Sequence, residues 1–202
     1  MEFRLYYRGP LLATTGGDSR VKHKHEIRRQ LHKQLAELWK VQQPLLNISQ
    51  TVFSDPDADK SSTTITQLEY IARRYERCGF RFVPLVSHTF GLVCGLEILF
   101  LRRDDPGALV MQGGDRDNRI KTLFDALRIP GNCSEVPSGP VDGENPFFCL
   151  LENDSMITEL SVSTDRLLIP AISGEHQNEV LLIIKVKTKI VAPDRAYIEF
   201  SF

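Results

Sequence analysis

The sequence predicts one α+β domain, and three observations carry that expectation. Apolar residues recur at helical spacing in three windows. They run continuously or alternate at strand spacing in most of the other ordered stretches, and the helical windows gather towards the N-terminal half. The 202 residues are enough for one sizeable core, and no internal repeat or low-complexity tract divides them.

Taken in order, "MEFRLYYRGPLL" reads as a first strand ending near Pro10, with a turn at Gly16–Gly17. From Lys24 to Val41, the stripe Ile27, Leu31, Leu35, Leu38 and Trp39 predicts a helix with its basic residues on the other face. Residues 42–63 read as loop. Thr64-x-x-Gln67 is a capping box that opens a second helix, which buries Leu68, Ile71, Ala72 and Tyr75 and stops at Gly79. Strands follow over 80–87 and 89–101. A third helix is expected over 118–128, with Ile120, Leu123, Phe124 and Leu127 facing the core. Four prolines and the glycines between them make 129–147 a long irregular loop. Strands resume at 155–163, 180–191 and 196–202. In the middle one Leu182, Ile184 and Val186 alternate with Lys185, Lys187 and Lys189.

Net charge is −1, but residues 1–40 hold nine Lys/Arg against four acids, a local +5. Such a cluster is a candidate surface for an anionic ligand, against the plainer reading of a solvated helix face. The four cysteines form no C-x-x-C pair, so neither a zinc site nor a disulfide framework is expected. No signal-peptide pattern opens the chain, and the longest apolar run, "LVCGLEILFL", is ten residues long and contains Glu97. The expectation is a soluble cytoplasmic protein with no membrane partner.

Most chemistry-bearing patterns resolve to structure. "DPDAD" at 55–59 lacks the glycine and glutamate a calcium loop needs at positions six and twelve, and reads as a solvated loop. His23 and His25 are two apart, which on a helix sends them to different faces; they are expected to join the basic surface. Nothing local makes Cys94, Cys133 or Cys149 a nucleophile.

"GGDRDNRIKTLFDAL" (113–127) is different. On a helical wheel starting at Asp117, Lys121 falls at about 40° and Asp125 at about 80°, beside an apolar stripe centred near about 290°. A capped helix with an ion-pair ladder accounts for Asp117, Lys121 and Asp125. It leaves Asp115 without a role. In extended backbone Asp115 would project to the same side as Asp117, and two carboxylates so close call for a shared cation. A hard divalent ion such as Mg²⁺ fits. "LLENDSMITEL" (150–160) adds Glu152, Asn153 and Asp154 before a strand, so Asp154 could join the pair. Three carboxylates and a lysine suit metal-assisted phosphodiester hydrolysis.

"DRDNRIKTLFDAL" followed by "ENDSMITEL" resembles the RusA-type Holliday junction resolvases, whose pattern is D-x-D-N-x-x-K, an apolar helix, an acidic pair and a strand. The resemblance is specific over about 115–160. It implies a mixed β-sheet with helices packed on it, in a single RusA-like domain spanning 1–202. Asp115, Asp117 and Asp154 match the catalytic, metal-binding carboxylates, Lys121 the essential lysine and Asn118 the motif asparagine. The resemblance further implies a homodimer that uses Mg²⁺, with Mn²⁺ as a substitute, to nick four-way DNA junctions. Charge alone adds Arg20, Lys22, Lys24, Arg28 and Arg29 as phosphate contacts, with the lysine face of 185–189 as a second candidate. Asn153 stands where an acid is usual, and 42–80 and 129–147 are additions to the family's minimal form. Two rival readings are a non-catalytic nucleic-acid-binding relative and another Mg²⁺ phosphohydrolase; against the latter, Arg119 occupies the position where a D-x-D phosphatase carries Thr or Val.

Overall fold

A computed structural model describes residues 1–12, 18–57, 63–103, 113–168 and 179–191, with the side chains of 18–19 and 113–117 outside the description. The fold is α+β. Strands β1 (Glu2–Pro10), β6 (Leu92–Arg102), β8 (Ile157–Arg166) and β9 (Glu179–Ile190) form a mixed sheet in the order β1-β9-β6-β8, with only β6 and β8 parallel. A second sheet joins β4 (Glu76–Arg77), β5 (Phe80–Val86) and β7 (Phe147–Leu151), the last two parallel. Strands β2 (Val52–Ser54) and β3 (Thr64–Thr66) make a small ribbon. Helix α1 (Asp18–Val41) packs on β7, α2 (Gln43–Gln50) and α4 (Gly113–Leu127), while α3 (Gln67–Arg74) packs on β5.

The alternation in β9 buries Val180, Leu182, Ile184 and Val186, which meet Leu96, Ile98 and Phe100 of β6 and Leu5 and Tyr7 of β1 in the core. From α1, Leu31, Leu35 and Trp39 close over them, the Trp39 ring lying 5.6 Å from that of Phe148. Burial of this kind is worth about 1.5–3 kcal/mol per large side chain and is what holds the layers together.

Several sequence expectations change. Residues 42–63 are not all loop: Pro44 sits in the first turn of α2, where its missing N–H costs nothing, and Leu45 and Ile48 are buried. The helix cap is Thr66, not Thr64; its hydroxyl accepts from the Glu69 N–H at 3.1 Å, and Thr64 belongs to β3. Gly79 does not end that helix but, with Cys78, forms the two-residue turn of the β4–β5 hairpin. Both have positive φ (57° and 80°), as a type I′ turn requires. Strand β7 was not expected at all. The strand expected over 196–202 and the turn at 16–17 lie outside the described residues.

The cysteines also correct the reading, because Cys78 and Cys133 are disulfide-bonded, their Cα atoms 5.4 Å apart. Fifty-five residues separate them in sequence, and only the fold brings the hairpin turn to the short 3₁₀ turn Cys133–Glu135. In a reducing compartment the same turns would carry free thiols. Cys94 and Cys149 are buried, and burial pushes both thiols up to about 12, which keeps them inert. No helix among the described residues is long and apolar enough to cross a membrane.

Candidate active site

Helix α4 begins at Gly113, five residues earlier than expected, so Asp115 lies in helical and not extended backbone. Helix positions two apart are about 200° apart around the axis, so the pairing of Asp115 with Asp117 loses the premise it rested on. The C-terminal end of α4 is tied to β7, where the Ile129 N–H donates to the Leu151 carbonyl at 3.0 Å. The helix also packs against the 3₁₀ turn Asp154–Met156, which carries the third carboxylate. Asp117 lies ten residues before Leu127, about 15 Å along the axis. The side chains of Asp115 and Asp117 lie outside the described residues, and among those described no three metal-ligating side chains group together.

Lys121 and Asp154 are described, and both are exposed. Neither side chain makes a hydrogen bond or ion pair with another described residue. The ion-pair ladder expected from Lys121 to Asp125 does not form, because Asp125 is already engaged. Its carboxylate takes Lys24 Nζ at 2.6 Å and Arg128 Nη2 at 3.0 Å, and its carbonyl accepts from Arg28 Nη2 at 2.8 Å. Burial alone would raise the Asp125 carboxyl, but Lys24 and Arg128 hold it below the usual carboxylate range.

The residues beside Asp154 have structural work. Asn153 caps the 3₁₀ turn, its side-chain oxygen accepting from the Ser155 N–H at 3.0 Å and from the Ser155 hydroxyl. Glu152 accepts the His88 N–H at 2.8 Å and the Tyr75 hydroxyl at 3.1 Å, and Tyr75 also meets Thr89 Oγ1 at 2.7 Å. Glu152 therefore locks the 87–91 turn to the end of β7. The missing acid at 153 is replaced by a cap, and Asp154 is left as the one carboxylate of the three-residue run open to solvent.

The expected DNA surface on α1 is largely turned inward. Arg28 is 1% exposed, Lys24 is committed to Asp125, and Arg29 grips Glu144, with Nε to Oε1 at 2.5 Å. Arg20 is half-buried and has a partner, which leaves Lys22 and Asn118 as the exposed members of the proposed set. The lysines of β9 face outward but are paired: Lys185 with Glu2 at 3.0 Å, Lys187 with Glu97, and Lys189 with Glu159 at 2.5 Å.

His25 and His32 are not surface groups either, while His23 is half-buried. His25 is 1% exposed, its ring 5.6 Å from that of Phe80 and 5.9 Å from that of Phe147. Arg28 Nη1, always a donor, points at His25 Nδ1 at 3.4 Å, so the ring is neutral with its proton on Nε2. Burial, reinforced by Arg28 and Arg29, pushes His25 down to about 4. His32 stacks on Phe147 at 4.3 Å; its Nδ1 accepts from the Phe148 N–H, so Nε2 donates to the Gly143 carbonyl. Burial lowers its pKa too. A folded-state histidine pKa below the unfolded value of about 6.5 means protonation favours unfolding. That stability is complete above pH 6.5 and is lost as pH falls towards 4. From His25 alone, going from pH 7.5 to pH 5 costs about 2 kcal/mol. Urea unfolding at both pH values measures it, and His25→Phe should flatten the difference.

Comparison with known protein families, curated proteins and solved structures returned no match.

Proposed function

We propose that the chain is a Mg²⁺-dependent endodeoxyribonuclease of the RusA type that resolves four-way DNA junctions. The observation that carries this reading is a pair of unspent charges in the D-x-D-N-x-x-K…D arrangement. Lys121 and Asp154 are exposed and unpaired among the described residues, on two elements that pack against each other, while Asp125, Glu144 and Glu152 nearby are all engaged. Exposed charges with no described partner are free to meet a substrate phosphate and its cation.

The donor chemistry suits a hard divalent cation: Asp117 and Asp154, on elements that pack together, would offer it carboxylate oxygens, while the helical backbone at Asp115 takes away the extended-chain reason for pairing it with Asp117. When bound, such an ion polarises a phosphate and lowers the pKa of an attacking water. Lys121 then holds charge on the non-bridging phosphate oxygens. Asn118, exposed three residues before it, orients the same phosphate. Lys22 remains as a backbone contact from α1.

The test is incubation of a labelled four-way junction with the protein and Mg²⁺, beside a linear duplex and the Asp117→Asn variant. Paired incisions confined to the junction and lost in the variant are expected. Tight junction binding without incision in Mg²⁺ or Mn²⁺ would replace this reading with that of a non-catalytic junction binder.

A further inference from the structure

The Cys78–Cys133 bond joins two surface turns and lies outside the buried core. Cys133 is exposed and Cys78 half-buried, so a small thiol can reach the pair without unfolding the protein. Cys94 and Cys149, by contrast, are buried. Cys78 also occupies a costly position. At φ 57° it is the first central residue of the type I′ turn, where Asn, Asp and Gly are preferred, and among the described residues no other non-glycine has a positive φ. A cysteine placed there against the backbone preference is there for its bond.

What the bond holds is local. On one side is the β4–β5 hairpin, and on the other the segment 131–140, most of which is exposed. Both flanks of that segment are fixed by other links. The Ile129 N–H donates to the Leu151 carbonyl, Arg77 Nη1 to the Pro130 carbonyl at 2.9 Å, and the Arg81 N–H to Asn145 Oδ1 at 2.9 Å. Between the flanks, Val136 rests against the core and Glu135, two residues after Cys133, meets Arg128 at 3.1 Å. Among the described residues, no other hydrogen bond or ion pair ties 131–140 to the rest of the molecule. Breaking the bond therefore leaves both sheets and the helix packing in place and frees the middle of this loop.

We propose that Cys78–Cys133 is a redox latch: a dithiol reductant opens it in the folded protein, and opening releases 131–140 from the β4–β5 hairpin. The exchange begins at the exposed sulfur. One thiolate of the reductant attacks Cys133 Sγ, the bond to Cys78 breaks, and Cys78 leaves as a thiolate that takes up a proton. The second thiolate of the reductant then attacks the reductant sulfur of the mixed disulfide. That step closes a disulfide within the reductant and frees Cys133, which is protonated in turn. Two electrons pass from the dithiol to the protein, and its two thiol protons end on Cys78 and Cys133. An oxidised dithiol runs the same steps backwards. The latch sits at the C-terminal end of α4, where Glu135 shares Arg128 with Asp125, and not at the candidate site. This inference is independent of the nuclease reading and survives its failure.

The two buried cysteines make the test internally controlled, since their modification reports unfolding. The oxidised protein is treated with roughly 5 mM dithiothreitol at neutral pH without denaturant, alkylated with iodoacetamide and mapped by mass spectrometry. Cys78 and Cys133 should be alkylated within minutes while Cys94 and Cys149 stay unmodified. Cleavage after Glu135 by a glutamate-specific protease should quicken at least about tenfold on reduction, with far-ultraviolet circular dichroism unchanged, and slow again on reoxidation. Cys133→Ser should show the fast cleavage with or without reductant. A bond that resists the reductant until denaturant is added, alkylation of all four cysteines together, or reduction that leaves the cleavage rate unchanged would each overturn the proposal. So would free thiols at Cys78 and Cys133 before any reductant is added.

Discussion

Asp125→Ala is expected to cost about 3–5 kcal/mol of stability, the penalty for leaving buried opposite charges without their partner. Three cations converge on this residue: Lys24 and Arg128 on its carboxylate and Arg28 on its carbonyl. Their side chains are 17% exposed or less, so solvent cannot take over what the carboxylate supplies. Glu135 still meets Arg128 at 3.1 Å, but nothing described replaces Asp125 opposite Lys24. Arg28→Met is the contrasting substitution. It keeps most of the volume and removes a buried charge whose Nε has no partner among the described residues, and so should cost far less. Chemical denaturation of the two variants gives the comparison. Equal losses would mean that packing, not charge, holds α1 to α4.

That network was within reach of the same wheel arithmetic that located the core stripe. Taking Ile27 as zero and about 100° per residue, Lys24 falls at about 60° and Arg28 at about 100°, inside the arc from Ile27 to Trp39. The residues at the opposite pole, near about 220°, are Lys22, Arg29, Lys33 and Lys40. Charge type alone groups Arg20, Lys22, Lys24, Arg28 and Arg29 with His23 and His25 as one basic surface, whereas position on the wheel turns Lys24 and Arg28 inward. Their acceptors were not legible in the same way. Asp125 and Glu144 lie about a hundred residues away, and only the fold brings them to α1.

The same distinction runs through the rest of the molecule. Features set by neighbours in sequence were largely readable: the alternation of β9, the apolar stripe of α4 and the strands flanking Gly91. The α3 cap was misplaced by two residues because Thr64-x-x-Gln67 and Thr66-x-x-Glu69 carry equivalent patterns, and pairing of β2 with β3 decides between them. Strand β7 was hidden because "FFCLL" is too short and uniformly apolar to show a period; it is buried on both faces against β5 and α1. The disulfide joins two turns that share no local signal. In the candidate site, "ENDS" held a readable cap, Asn153 with Ser155, whereas the use of Glu152 to pin the 87–91 turn depends on Tyr75 and His88 arriving from elsewhere.

Asp154→Asn is expected to reduce junction incision by at least about 10²-fold while leaving the unfolding transition where it was. The two halves of this expectation rest on different facts. The stability half follows from exposure and from the lack of a described partner, since removing a solvated charge that bonds to nothing takes nothing from the fold. The activity half follows from the proposed role, in which the carboxylate helps to hold a divalent ion. Lys121→Ala should behave alike, with a smaller loss of about 10²-fold from one missing charge contact in the transition state. Asn153→Ala separates a site from a scaffold: it removes the cap, worth about 1 kcal/mol, and should cost stability before it costs turnover. Single-turnover incision and thermal melting of all three variants give a two-way pattern. If Asp154→Asn and Lys121→Ala both incise at the wild-type rate, the unspent charges are surface ornament and the nuclease assignment falls with them.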